Sequence, residues 1–359
     1  MKLLTVAAFL LVLSTMFVRG EHRQLTRRAG DQGPATRAEI NDPTAIAVDG
    51  SKTLYIVENG NVIRRVDLRT GIITTLQTKS RLEAISSLVI DTAGNLIAVE
   101  FTMDRVRRID PRAGYVTTVA GGRKLAFSGD DGPAVNAGLN QTRDVAIDGL
   151  NNLYLADMGN GRIRRVDAQA GIITTVVGNG RRDSSGDGGP ALDAGLEWPR
   201  SIAVDRDGNL FVAQLGAEPD GRIRRIDGKT GTIRTVVGAA VGPIGNGSLL
   251  PLGSAIPSSL LFDPLGNLYF VDGEGRVRRN DAKTQIIQTV AGSGTGFSGD
   301  GGPAIQARLD SPSALALDSE GNLYIAEFGN HRVRRVDART GVIQTVAGNG
   351  LPHHVHVVR

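Results

Sequence analysis

The chain contains no cysteine. That absence removes a disulfide scaffold, a thiolate zinc site, a cysteine nucleophile and a lipidated N-terminal cysteine together. Aromatic residues are scarce, at 4%, and histidines number only five. The charge is small as well. The formal value of +4 falls to +2 once Lys2 and Arg19 leave with residues 1–20, too little to imply a polyanion partner unless clustered. Long apolar runs are absent except at the start. Lys2 precedes a mostly apolar stretch from Leu3 to Phe17, and Val18-Arg19-Gly20 places modest residues where a signal peptidase reads. Residues 1–20 are therefore predicted to be a signal peptide cleaved after Gly20. The other reading, a retained anchor, needs a longer run, because a spanning helix takes ~20 apolar residues.

Glycine is plentiful, with 47 residues, which implies either disorder or many regular turns. The order of the glycines decides. Ser201-Ile-Ala-Val-Asp205, Asp207-Gly-Asn-Leu-Phe-Val-Ala213, Arg222-Ile-Arg-Arg-Ile-Asp227 and Thr230-Gly-Thr-Ile-Arg-Thr-Val-Val-Gly238 all recur along the chain. One aspartate marks the register at Asp49, Asp91, Asp148, Asp205, Asp263 and Asp318, and another at Asp67, Asp110, Asp167, Asp227, Asp281 and Asp337. Six copies fill residues 43–350. Each copy reads as four short strands, a to d, with tight Asp-x-x-Gly-Asn and Asp-x-x-Thr-Gly turns after a and c. Strand b is apolar on both faces, which places it between neighbours. Four-stranded sheets repeated radially make a propeller. The expected fold is all-β, a six-bladed β-propeller of four-stranded antiparallel blades.

A linker, Gly-Asp-x-Gly-Pro-Ala-x-x-Ala-x-Leu, recurs at 129–139, 186–196 and 299–309. A fourth copy, Gly30 to Ile40, stands ahead of the first blade, while the last blade ends at Gly350 without one. Residues 21–42 are thus expected to supply the linker that closes the ring, leaving 351–359 as a tail. The run Asp-x-x-Gly-Asn-Leu-Tyr-Ile-Ala-Asp/Glu-x-Gly-Asn-x-Arg-Ile/Val-Arg-Arg-Val-Asp, best preserved at 152–167 and 318–337, resembles the NHL repeat. The Ser-Gly-Asp-Gly-Gly-Pro-Ala linker is similar to that of exported bacterial NHL-repeat proteins, and teneurin propellers carry a similar repeat. The resemblance implies the NHL-type propeller and, because that family is functionally mixed, no particular activity.

Connections b–c and d–a emerge on one face, here called the top, where function is expected. Strand b ends in an acid or amide at Glu58, Glu100, Asp157, Gln214, Asp272 and Glu327. This ring is read as structural, with Asp157 facing Arg162 and Glu327 facing Arg332 across their hairpins; the alternative is a metal or catalytic ring. The doubled arginines, such as Arg164-Arg165, are read as pairing with turn aspartates. Linker residues Asp130, Asp187 and Asp300 are read as accepting N–H bonds at the start of a short helical turn, rather than as a calcium site. No cofactor is expected, with calcium the one candidate. His353, His354 and His356 read as a tail, and neither a Gly-x-Ser-x-Gly elbow nor a Ser/His/Asp set is present.

The linker is missing before the second blade and degenerate before the fifth, between Gly238 and Pro257. Those blades lie opposite each other, so a groove is expected to cross the top between two linker walls. Its floor would hold Glu100, Phe101, Thr102, Met103, Asp272, Gly273 and Glu274, and would suit an extended ligand. The expected function is a non-catalytic binding or scaffolding propeller, a monomer, exported to the periplasm or secreted. Its ligand would be a protein, peptide or glycan, with no nucleic acid partner and no membrane span after cleavage. The alternative is a lactonase-like metal-dependent hydrolase or lyase using the acidic ring.

Overall fold

The computed structural model describes residues 30–122, 126–215, 221–238 and 257–351. Residues 1–20, expected to be a signal peptide, the histidine tail at 353–356 and the degenerate linker at 239–256 lie outside the described residues. The chain is a six-bladed β-propeller, each blade an antiparallel sheet whose four repeat strands pair in sequence order. In the third blade these are Thr142–Ile147, Leu153–Asp157, Arg162–Val166 and Ile172–Val177.

Aspartates set the turns. After strand a, Asp148 accepts the N–H groups of Leu150 and Asn152 at 2.9 Å, and its other oxygen takes the Asn152 side chain at 2.8 Å. After strand c, Asp167 accepts the N–H groups of Gln169 and Ala170. Local side-chain bonds of this kind compete successfully with longer strands, so each strand stops after about five residues. Strand b of the sixth blade, Leu323–Glu327, is buried at every position.

The core is six apolar clusters, one at each junction between blades. Small residues on one blade admit larger ones from the next. Ala146 and Ala156 of the third blade pack with Ile202, Leu210 and Val212 of the fourth. Each fully buried Leu or Ile contributes roughly 1.5–3 kcal/mol. Polar side chains stitch the inner strands together around the channel. Ser87 Oγ, Asp144 Oδ2, Ser201 Oγ and Ser259 Oγ each accept an N–H from the following blade, from Val145, Ile202, Leu260 and Leu315.

Each linker is a wedge between two blades. Gly132–Pro133 adds a short fifth strand to the outer edge of the third blade, against Ile172 and Ile173. The chain then forms a 3-10 turn, Ala134–Asn136, and buries Ala134, Ala137 and Leu139 against the second blade. Gly129 must be glycine here: its φ is +87°, and a Cβ would stand 2.8 Å from the Cα of Ala137.

Residues 30–42 form the same wedge at the seam. Gln32 donates to Ile73 O in the first blade, whereas Gly348 and Asn349, after the sixth, donate to Ala35 O and Ala38 O. Ala35, Ala38 and Ile40 are at most 1% exposed within a cluster shared by the first and sixth blades. Asp42 N–H donates to His331 Nδ1 across the same seam, at 3.3 Å.

Candidate functional site

The strand-b acids are sealed. Glu58, Glu100, Asp157 and Glu327 are at most 1% exposed and Asp272 is 3% exposed. Their backbone register matches the sequence reading, with Asp157 opposite Arg162 and Glu327 opposite Arg332. Their side-chain pairing does not. Asp157 approaches Arg164 at 3.5 Å and Glu327 approaches Arg334 at 3.7 Å, as Glu58 meets Arg64 at 2.9 Å. Arg162 and Arg332 turn away to the carbonyls of Asn179 and Asn349, and lie over the rings of Phe127 and Phe297. Arginines two apart share a strand face, so sequence spacing alone leaves both as candidates. The first arginine does pair in the second and fifth blades, Arg105 with Glu100 and Arg276 with Asp272.

The linker aspartates explain the choice. Asp130, Asp187 and Asp300 do not cap the helical turn that follows them, correcting the sequence reading; those turns have no side-chain cap. Each instead reaches the following blade. Asp130 accepts two arms of Arg164 at 3.0 and 2.7 Å and the Thr175 hydroxyl at 2.7 Å. Asp187 holds two arms of Arg224 and accepts the Thr235 backbone N–H at 2.9 Å, and Asp300 holds Arg334 and the Thr345 hydroxyl. Asp31 accepts one arm of Arg64 at 3.0 Å and the Thr75 hydroxyl at 2.8 Å. Forked, charge-assisted bonds are the strong kind, and they fix the second arginine in a fully buried place. The second arginine of the doublet pairs with a turn aspartate in several blades, as Arg165 does with Asp167 and Arg335 with Asp337, each at 2.9 Å.

Burial dominates the electrostatics of the ring. It pushes the Asp157 carboxyl up to about 6, against the opposing bonds from Asn160, the Asn140 N–H and Arg164. It pushes Glu327 up to about 7, with Asn330, Arg334 and the Asp310 N–H opposing and Asp300 adding to the rise. Every strand-b acid thus faces an arginine. Among the described residues no three His, Asp or Glu side chains gather as metal ligands would.

The expected groove floor is layered. Phe101, Thr102 and Met103 form a 3-10 turn on the top, with Met103 39% exposed, and Gly273 and Glu274 are exposed. Glu100 and Asp272 lie buried beneath, so they are supports rather than floor. At the second blade Leu82, with Leu76 packed against the same cluster, stands at the junction that a full linker fills before the third, fourth and sixth blades. A cleft of about 580 Å³ opens on the opposite face between the first two blades, lined by Asp49, Tyr55, Arg65, Asp67 and Arg112 among others. Most of that lining is the turn and ladder chemistry repeated in every blade.

The departures from repetition lie elsewhere. The second position of strand a is Thr44, Ser86, Ser258 and Ser313 in four blades, but Arg143 and Arg200 in the third and fourth. Asp144 replaces the serine or alanine at the third position. Its carboxylate joins three blades, accepting the hydroxyls of Ser87 at 2.5 Å and Ser201 at 2.7 Å with the N–H groups of Val145 and Ile202. Arg143 lies over the Phe101 ring, 5.3 Å from its centroid, at the top of the channel. Burial first, and then the neighbouring charge of Arg200, bring the Arg143 guanidinium down to about 10, with Asp144 opposing; burial also lowers Arg200. A guanidinium keeps its proton in proteins, so both are cations at neutral pH. The sequence reading passed over this cluster. Its signal was a break in the repeat, just ahead of the Ser201-Ile-Ala-Val frame.

Comparison with known proteins agrees with this architecture. Residues 309–336 match the NHL repeat, and residues 22–105 match the teneurin NHL domain. Human teneurin-1 is 28% identical over 364 residues, covering 90% of this chain and 13% of that protein. This chain therefore spans about an eighth of that relative. Two solved propellers share the fold at low identity. An auxiliary nutrient binding protein from Bacteroides thetaiotaomicron superposes with a TM-score of 0.58 at 15% identity, over 91% of this chain and 79% of that one. Virginiamycin B lyase from Staphylococcus aureus gives 0.51 at 16%, over 90% and 87%.

Proposed function

We propose that this NHL propeller is a non-catalytic binding or scaffolding protein, working outside the cytoplasm as a monomer, with a protein or peptide ligand on its top face. One observation carries the reading. The recurring carboxylates that a catalytic ring would use are buried against arginines, while the side chains that break the repeat gather at the top. A residue that does the same work in each blade serves the blade, and a ligand site is built from those that differ. Groove residues Phe101, Thr102, Met103, Gly273 and Glu274 belong to this proposed surface. The nutrient-binding neighbour supports a binding role for such a fold; the lyase neighbour marks hydrolase or lyase chemistry as the competing reading.

Peptide and glycan arrays test it, probed with the wild-type protein, with Met103→Arg on the top, and with Leu150→Arg or Leu265→Arg in the opposite turns. The last two positions are 79% and 81% exposed, so both changes should be structurally silent. The expected peptide signals vanish with the top variant and persist with the others. Signals lost only in the turn variants, or divalent-metal-dependent turnover of ester or lactone substrates, would overturn the reading.

A further inference from the structure

Two cations stand at the mouth of the central channel without a salt bridge among the described residues. Neither Arg143 nor Arg200 has a carboxylate within 4.0 Å among the described residues, whereas the repeated strand-c arginines Arg64, Arg164, Arg224 and Arg334 all do. They occupy the same position on adjacent inner strands, Thr142–Ile147 and Ser201–Val204 or the residue before it. Two like charges, partly stripped of water and held near each other, oppose folding. Serine or threonine fills this position in the other blades, so the ring does not require arginine there.

We propose that Arg143 and Arg200 form a carboxylate-binding site at the channel mouth, taking one acidic side chain or terminus of a peptide ligand. The site deepens the top-face binding reading and rests on it. Guanidinium groups present planar forks that match a carboxylate, and they are weakly hydrated enough to work at a confined site. Phe101 under Arg143 supplies an apolar wall and holds that guanidinium at the top. Trp198, two residues before Arg200 and stacked under Arg182, adds a second aromatic surface to the same connection.

Asp144 tempers the charge of the site. Burial raises its carboxyl, against the opposing bonds from the Ser87 and Ser201 hydroxyls and the Ile202 and Val145 N–H groups. Two arginine cations outnumber that one carboxyl, so the site is net positive. A carboxylate carried on a peptide offsets the excess and adds contacts to the aromatic surfaces, which inorganic phosphate lacks.

Calorimetric titration at low ionic strength tests the site with triglutamate, triglutamine and inorganic phosphate as probes. The proteins are the wild type, Arg143→Gln, Arg200→Gln, the double variant, and Arg112→Gln in the opposite cleft as a control. Triglutamate is expected to bind the wild type and the control saturably at one per chain. Each single variant should weaken it by about tenfold, and the double variant should abolish it. Triglutamine should not bind, and phosphate should bind more weakly than triglutamate. No wild-type binding, unchanged affinity in the double variant, or tighter binding of phosphate overturns the proposal. Melting separates the site from a structural role. Removing either unpaired cation should leave the melting temperature equal or higher, and a fall of several degrees would assign the arginines to the fold instead. Array signals that need Met103 yet survive the double variant would sink this site while leaving the top-face reading standing. Signals that move to the opposite turns would sink both.

Discussion

The second and fourth blades solve one electrostatic problem in different ways. In the fourth, Arg224 is wholly buried, its strand-b neighbour is the uncharged Gln214, and Asp187 arrives from the linker to hold it at 2.6 Å. In the second no linker arrives. Glu100 turns to the outer Arg105, and the inner Arg107 is left 3.9 Å from the same carboxylate and partly exposed, its pKa lowered by burial and by Arg105. The linker is therefore more than a spacer. It fills the junction with two alanines and a leucine or isoleucine, and it carries the counter-charge that lets an arginine be sealed inside the blade. A sealed charge is costly unless it is hydrogen-bonded on all sides, so the linker and the arginine are one unit.

The largest effect should come from removing a whole wedge. Deleting residues 30–42 strips Ala35, Ala38 and Ile40 from the seam and exposes two blade faces. A loss of several kcal/mol is expected, since Ile40 alone contributes roughly 1.5–3 kcal/mol, and denaturant titration should show a much lower midpoint. An unchanged midpoint would mean that the seam does not depend on the wedge.

Next comes the counter-charge alone. Asp187→Ala leaves Arg224 without a carboxylate within 4.0 Å among the described residues and should cost about 3 kcal/mol in the same titration. Asp130→Ala should cost less, because Asp157 still stands 3.5 Å from Arg164. Equal costs would break the comparison between a blade with Gln214 and a blade with an acid there.

A pH effect follows from Glu327, whose carboxyl is raised from 4.5 to about 7. The folded protein keeps that proton where the unfolded chain has released it. Stability should therefore fall as pH climbs from 4.5 to about 7, by at most about 3 kcal/mol. Glu327→Gln should flatten that slope, and a slope that persists unchanged would assign the dependence to other groups. The smallest effect concerns the outer arginines. Arg162→Lys and Arg332→Lys lose a stacking contact and carbonyl bonds, costing about 0.5–1 kcal/mol, whereas Arg105→Lys loosens the fork on Glu100 and should cost more.

Much of the architecture was legible because repetition encodes it. Recurring aspartates marked the turns, and the linker copy at Gly30 to Ile40 pointed to the seam before any strand was placed. Side-chain choices across distance were not legible. Asp187 reaches Arg224 and Thr235, which lie 37 and 48 residues away, and Arg162 and Arg164 share one strand face with equal claim on Asp157. The channel mouth was hidden for a different reason. A frame opening at Ser201 leaves Arg200 one residue outside it, and attention to residues that recur passes over Arg143 and Asp144 because they do not.

The central claim is a division of labour: repeated charges hold the blades, and charges that break the repeat hold the ligand. Its most direct test measures triglutamate affinity and melting side by side on Asp187→Ala and on the Arg143→Gln/Arg200→Gln double variant. The account expects the first to melt lower with affinity unchanged, and the second to lose binding with melting unchanged or raised. A double variant that melts lower and still binds, or an Asp187→Ala protein that stays stable and no longer binds, would contradict it.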